Sequence, residues 1–156
     1  MDFRASRLRS GEIIAAIAAV VLLVDLLGLS WYSVNGASAT GWEVLTVLRW
    51  LILLTVAVAL ALAWFQATRR APALPSSLSI IATVLGTITT LTLIWRVLIS
   101  LPGPDGPALS ISADVGAYVG LVGALLLAAG ALWSLREEEP PDPARNEAIP
   151  VVSLRG

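Results

Sequence analysis

Residues 12–29 read EIIAAIAAVVLLVDLLGL, an apolar run interrupted by one internal acidic residue, Asp25. The hydrocarbon core of a bilayer is about 30 Å thick, and a helix of about 20 apolar residues crosses it. Three further runs of this kind follow, at 42–66, 77–101 and 114–135. The sequence therefore predicts four membrane-spanning helices.

The composition of the whole chain agrees with this interpretation. Of its 156 residues, 57% are hydrophobic and 13% are charged, whereas soluble domains average about half and about a quarter. Four spans leave room only for short turns and a tail, so we expect one all-α transmembrane domain over residues 12–136. The net charge of −1 provides no basic surface for phosphates, and nucleic acid is not an expected partner.

The arginines indicate how the spans are oriented. Eight of the ten lie before the first span, after the second and after the fourth, and the two remaining turns carry none. Basic residues are retained on the cytoplasmic side of a membrane. We therefore expect an up-down four-helix bundle, made of two helical hairpins, with both termini in the cytoplasm.

Short motifs mark the first turn between spans. The first apolar run resembles a signal peptide, but the Ala37-Ser38-Ala39 triplet lies too far beyond it for cleavage, which favours an uncleaved signal anchor. Trp31 and Tyr32 have the amphipathic rings that favour the headgroup level of a bilayer. Residues 40–43 (TGWE) have the spacing of a capping box, which predicts that the second helix begins near Trp42.

The two ends of the chain differ from the spans in composition. Residues 1–11 hold three arginines and form a basic cytoplasmic N-terminus. Residues 137–143 read EEEPPDP, an acidic and proline-rich stretch that cannot bury a core. We therefore expect a disordered cytoplasmic tail over 137–156.

Small residues predict where the helices pack. Lipid is as apolar as leucine, so helices in membranes associate through close approach of their backbones, which small residues four apart allow. The fourth span has such a stripe, and the third contributes threonines that can bond their own carbonyls or a neighbouring helix. The predicted packing residues are Gly86, Gly116, Gly120, Ala124 and Ala128. Homodimerisation through the glycine face is the alternative to packing within the chain.

Three ionisable residues lie inside the predicted spans. Counted from the helix ends nearer the first turn, Asp25, Arg49 and Arg96 occupy one layer roughly 7 to 10 Å deep, and Tyr118 adds a hydroxyl there. An ionisable residue in a membrane suggests a functional site. Three interpretations are open: an ion pair between Asp25 and an arginine, arginines reaching outward to the headgroups, and a site for an ion, ligand or lipid headgroup.

The chain lacks the residues on which most catalytic sites depend. It has no cysteine and no histidine, so thiol chemistry, zinc and haem ligation and imidazole catalysis are excluded from within the polypeptide. No pair of carboxylates or nucleophile with a base takes their place. We expect no metal, no cofactor and no enzymatic activity.

Four motifs resemble those of a protein family. They are residues 29–33 (LSWYS), Ser38-Ala39 with Trp42, Arg96 followed by Pro102-Gly103, and residues 116–121 (GAYVGL). In these the chain resembles a family of small four-span integral membrane proteins of high-GC actinobacteria that has no assigned activity. The resemblance implies a multi-pass protein of the bacterial plasma membrane.

Two functions are compatible with these features. The first is a non-enzymatic accessory or scaffolding subunit that binds a membrane-protein partner or a second copy of itself within the lipid bilayer. The alternative is a small transporter or channel subunit, for an anion or a lipid headgroup, that uses the layer of Asp25, Arg49 and Arg96.

Overall fold

The computed structural model of the protein describes residues 10–34, 36–68, 75–100 and 111–137. These are mostly helical, with four long helices and a small sheet. In chain order the elements are α1 (Ser10–Gly28), β1 (Ser30–Val34), β2 (Ala37–Thr40), α2 (Gly41–Val44), α3 (Leu48–Thr68), α4 (Pro75–Ile94), a π-helical turn (Trp95–Ile99), β3 (Ile111–Ala113) and α5 (Val115–Glu137). Most of the predicted basic N-terminus, the arginines after the second span and nearly all of the predicted tail lie outside the described residues.

Within the described residues, four stretches of helix are long and apolar enough to cross a membrane. They are Ser10–Gly28, Leu48–Thr68, Leu78–Ile99 and Val115–Arg136. Each coincides with one of the predicted spans, and this length and composition are compatible with an integral membrane protein. The up-down bundle and the cytoplasmic termini stay predictions.

The second span begins later than expected. The capping box is confirmed, because the Glu43 carboxylate accepts a hydrogen bond of 2.9 Å from the Thr40 main-chain N–H. However, the helix that it starts, α2, ends after one turn, and the long helix α3 begins only at Leu48. Between them the Leu45 side chain enters the core, which the non-helical backbone at this residue allows.

The prediction of an all-α fold missed a three-stranded antiparallel sheet. The strand order is β2-β1-β3. Strand β1 therefore pairs on one side with β2, which follows it in the chain, and on the other side with β3, which precedes α5. Val34 pairs with Ala37, and Gly36 has a φ of 85°, a left-handed conformation that glycine adopts readily. The sheet therefore joins the C-terminal end of α1 to the N-terminal end of α5.

The long helices pack around a shared core, with α1 and α4 each in contact with both α3 and α5. A Cβ atom at Gly86 would lie 3.1 Å from the Ala128 Cα, so α4 and α5 approach closely here. The Thr55 and Thr89 hydroxyls are 2.7 Å apart and connect α3 to α4. This agrees with the prediction that threonines of the third span can bond a neighbouring helix. Large apolar side chains on all four helices remain exposed, such as Ile17, Leu54, Leu91 and Val122, which suits a lipid environment.

Candidate functional site

The sheet is anchored to the helices by two aromatic side chains of β1. Trp31 is fully buried and Tyr32 is 2% exposed. The strand turns both rings inward against the ends of the helices, so they contact the protein; that they mark the level of a membrane interface stays a prediction. Their burial fixes the sheet onto the helical core.

Three glycines make the space that the Trp31 ring occupies. A Cβ atom would lie 2.8 Å from the indole at Gly41 and 2.8 Å at Gly116, and one at Gly120 would overlap the ring as well. These distances are far shorter than a carbon–carbon contact permits. Gly116 and Gly120, predicted as helix-packing residues, thus accommodate an aromatic side chain of the sheet, and Gly120 also faces Asp25 of α1.

Asp25 lies beside this ring and has no charged partner among the residues that the structure describes. Its side chain is 1% exposed, and among the described residues neither carboxylate oxygen has a partner with full hydrogen-bond geometry, although the Trp31 indole N–H lies close to the carboxylate. A Cβ atom at Gly120 would lie 2.6 Å from Asp25 Oδ2, so the carboxylate also occupies space that this glycine leaves. The expected ion pair of Asp25 with Arg49 or Arg96 is not formed within the described part of the chain.

Arg49 is not deep in a span. Because α3 begins at Leu48, Arg49 is its second residue, and the depth counted from Trp42 was wrong. Its guanidinium donates a hydrogen bond of 3.1 Å to the Trp42 carbonyl. The guanidinium carbon lies 4.8 Å from the centre of the Trp42 ring and 5.7 Å from that of Trp50. Arg49 therefore links α2 to α3 through contacts with aromatic rings.

Arg96 lies in the π-helical turn, at the end of the third span. The guanidinium donates a hydrogen bond of 3.3 Å to the Ser100 carbonyl in the same segment. The main-chain carbonyl of Arg96 accepts a hydrogen bond of 3.4 Å from the Tyr32 hydroxyl. Burial raises the pKa of this hydroxyl, and the positive charge of Arg96 opposes the rise.

Tyr118 does not form part of an enclosed layer with Asp25, Arg49 and Arg96. Its side chain is half exposed and lines a groove on the outer surface of α1 and α5. The four predicted site residues thus occupy different surroundings: Asp25 in the core, Arg49 on aromatic rings, Arg96 beside the sheet, and Tyr118 in the groove.

A polar contact that was not predicted from the sequence lies at the opposite end of the helices. Glu12 is 1% exposed, and its carboxylate accepts a hydrogen bond of 3.4 Å from the Ser134 hydroxyl. Nearby, a Cβ atom at Gly130 would lie 2.7 Å from the Ala15 main-chain nitrogen, so α1 and α5 nearly touch. Gly130 and Ser134 have the four-residue spacing of small residues that could have indicated this contact.

The chemistry of the described residues is that of packing and polar contact. No group of three His, Cys, Asp or Glu side chains comes together there in a way that could hold a metal ion. The polar side chains of the sheet contact one another: the Ser33 hydroxyl is 2.9 Å from that of Ser112 and donates to Asp114 Oδ1 at 3.2 Å. The absence of a cofactor stays a prediction.

Comparisons of the chain with protein-family models, with curated proteins and with solved structures found no match.

Proposed function

We propose that the protein is a non-enzymatic accessory subunit of a bacterial plasma membrane, which binds a membrane-protein partner through its sheet. In this proposal the four helices form an up-down bundle with both termini in the cytoplasm, so the sheet faces the outer side. The arginine distribution of the sequence supports that orientation.

The observation that carries the proposal is the ordered sheet itself. Fixing the backbone of each residue costs about 1–2 kcal/mol, and short connections between membrane helices do not require a sheet. Here two connections from distant parts of the chain pair with each other, and the buried rings of Trp31 and Tyr32 hold them. Such a sheet presents a fixed surface to a partner.

The outward features of the sheet also suit protein contact. Strands β2 and β3 are its two edges, and a strand edge offers main-chain donors and acceptors to another chain. Ser38 and Ser112 on these strands are exposed. Their side chains are small and uncharged, so they leave the main chain accessible.

Site-specific photo-crosslinking in native membranes tests the proposal. A photoreactive residue replaces Ser38 or Ser112 in the sheet, and a control replaces Thr68 at the end of α3. We expect one adduct of defined mass from both sheet positions and none from Thr68. No adduct from either sheet position, at equal protein level, would contradict the proposal.

A second experiment separates the sheet from the predicted tail. A chain lacking residues 138–156 should keep the sheet adducts if the partner binds the sheet. Loss of the partner on truncation, with a folded membrane domain, would assign the binding to the tail instead.

The alternative function, a small transporter or channel subunit, now depends on Asp25. Arg49 and Arg96 have main-chain and aromatic partners, whereas the described residues supply no charged partner and no well-formed hydrogen bond to the buried carboxylate of Asp25. A carboxylate of this kind in a membrane favours an ion pathway. Flux into reconstituted vesicles should then fall sharply for Asp25→Asn, and unchanged flux would remove this alternative.

A further inference from the structure

A groove follows the outer surface between α1 and α5. Its volume is about 570 Å³, within the range of roughly 300–1,000 Å³ found for small-molecule sites. Its walls are apolar apart from Tyr118, with Ile17 and Val21 on one side and Val119 and Val122 on the other. Both walls belong to helices that are long and apolar enough to span a membrane.

A smaller pocket of about 310 Å³ lies at the sheet end of the same helices. Its lining includes the polar residues Ser30 and Asp114. Val115 lines both this pocket and the groove. The two cavities therefore border the same residue, and a pocket with polar lining lies next to the apolar groove.

We propose that the pocket and the groove together bind one membrane lipid with an amine-bearing headgroup, such as phosphatidylethanolamine. One acyl chain fills the groove between α1 and α5, and the ammonium group lies beside the Asp114 carboxylate. This goes beyond the proposed partner binding and does not depend on it.

The length of the groove matches an acyl chain of one leaflet. From Val115 to Leu126, the groove-lining residues of α5 cover eleven helical steps of 1.5 Å, or about 16 Å. Half of a hydrocarbon core about 30 Å thick is about 15 Å. If the headgroup lies at the sheet end, the acyl chain would thus extend along the groove as far as Leu126.

The charge of the polar end selects the headgroup. Among the described residues that line the smaller pocket, Asp114 is the one with a charge. One of its carboxylate oxygens accepts from the Ser33 hydroxyl, and a carboxylate has acceptor sites for further donors. An ammonium group supplies both donors and the opposite charge, whereas the trimethylated headgroup of phosphatidylcholine has no N–H to donate.

The test uses the full-length protein in vesicles and two photoreactive lipids. One is phosphatidylethanolamine and the other phosphatidylcholine, and both carry the same diazirine-labelled acyl chain. We expect the ethanolamine probe to label peptides of α1 and α5 at the groove. Asp114→Asn should lower this labelling about fivefold, toward that of the choline probe. Equal labelling by the two probes would overturn the headgroup assignment.

A filled groove gives a second measurement. Val122 is exposed, so Val122→Trp enters the groove without disturbing the core, and labelling by both probes should fall about tenfold. The control, Leu91→Trp, changes an exposed residue of α4 that lines neither cavity and should leave labelling unchanged. Equal labelling of the two variants would overturn the site.

A second copy of the chain is the competing occupant. The protein has no cysteine, so Val122→Cys introduces one thiol in the groove. Under oxidation in vesicles, the lipid proposal predicts a monomer. A disulfide dimer in high yield would show that another copy covers the groove, and would overturn the proposal.

Discussion

The indole nitrogen of Trp31 donates a hydrogen bond of 3.3 Å to the main-chain carbonyl of Asp25. This bond ties the central strand of the sheet to the last turns of α1. The same carbonyl accepts the N–H of Leu29 at 3.1 Å, so the helix end and the strand that follows share one acceptor. The ring, the helix end and the carboxylate of Asp25 thus form one packed unit around Gly120.

Gly120→Ala should destabilise the protein by about 1–3 kcal/mol, the range for overpacking a core. The added methyl group would overlap the Trp31 ring and lie 2.6 Å from Asp25 Oδ2. The measurement is equilibrium unfolding by SDS in mixed micelles. Gly123→Ala is the matched control, because its Cβ would meet Leu22 Cβ at an ordinary 3.5 Å. Equal stability of the two variants would show that the site around Trp31 is not tightly packed.

Thr55 and Thr89 should be energetically coupled. Thr55 donates its hydroxyl proton to the Leu51 carbonyl, so the Thr89 hydroxyl is the donor in the 2.7 Å contact between α3 and α4. A double-mutant cycle with Thr→Val substitutions should give about 0.6–1.7 kcal/mol. Thr87, which bonds the Thr83 carbonyl of its own helix, is the control and should not couple to Thr55. Additive effects of Thr55→Val and Thr89→Val would contradict the contact.

Arg49 should couple to Trp42 and not to Asp25. Its guanidinium lies 4.8 Å from the Trp42 ring centre, a cation–π contact for which about 0.5–1 kcal/mol is expected. A cycle of Arg49→Gln with Trp42→Leu measures this energy. In the cycle of Arg49→Gln with Asp25→Asn, the coupling should stay below about 0.5 kcal/mol. A value of several kcal/mol there would restore the ion pair that the sequence suggested.

Tyr32 should ionise above the ordinary tyrosine pKa of about 10, because burial disfavours the phenolate. The chain has two tyrosines, so ultraviolet absorbance of Tyr118→Phe follows Tyr32 alone. Arg96→Gln should raise this pKa further, since the arginine charge lowers it. A midpoint at or below about 10 would contradict the burial of the hydroxyl.

The same pKa shift has a consequence for stability. The folded protein holds the Tyr32 proton at pH values where the unfolded chain has lost it. The resulting stabilisation is complete below the unfolded pKa of about 10 and is lost as pH rises toward the folded pKa. Tyr32→Phe should remove this pH dependence of unfolding.

Features that depend on local sequence could be predicted. Four apolar runs set the four long helices, because the length and composition of a segment decide whether it can cross a bilayer. The capping box at Thr40 and Glu43 was found because its two partners are three residues apart. The close approach of α4 and α5 at Gly86 follows from small side chains at that position.

The sequence holds one local signal for the sheet. Asn35-Gly36 is a dipeptide typical of two-residue hairpins, and it stands between the paired residues Val34 and Ala37. The third strand has no local signal in the sequence. Ser33 and Ser112 are far apart in the chain and become neighbours only when α1 and α5 pack together.

The relative positions of Asp25, Arg49 and Arg96 needed the tertiary structure. The depth of a residue along a span depends on where its helix begins. Because the helix is interrupted at Leu45 and α3 begins only at Leu48, Arg49 lies at a helix end. The partner of a charged side chain also depends on the rotation of each helix about its axis. Rows of small residues along a helix define that rotation only loosely.

By itself the sequence determined that four segments are suited to a membrane, because that property belongs to each segment alone. Only the tertiary structure decided what surrounds Trp31 and Asp25. Three glycines from two elements have to converge before an indole ring fits between them, and convergence is a property of the packed chain.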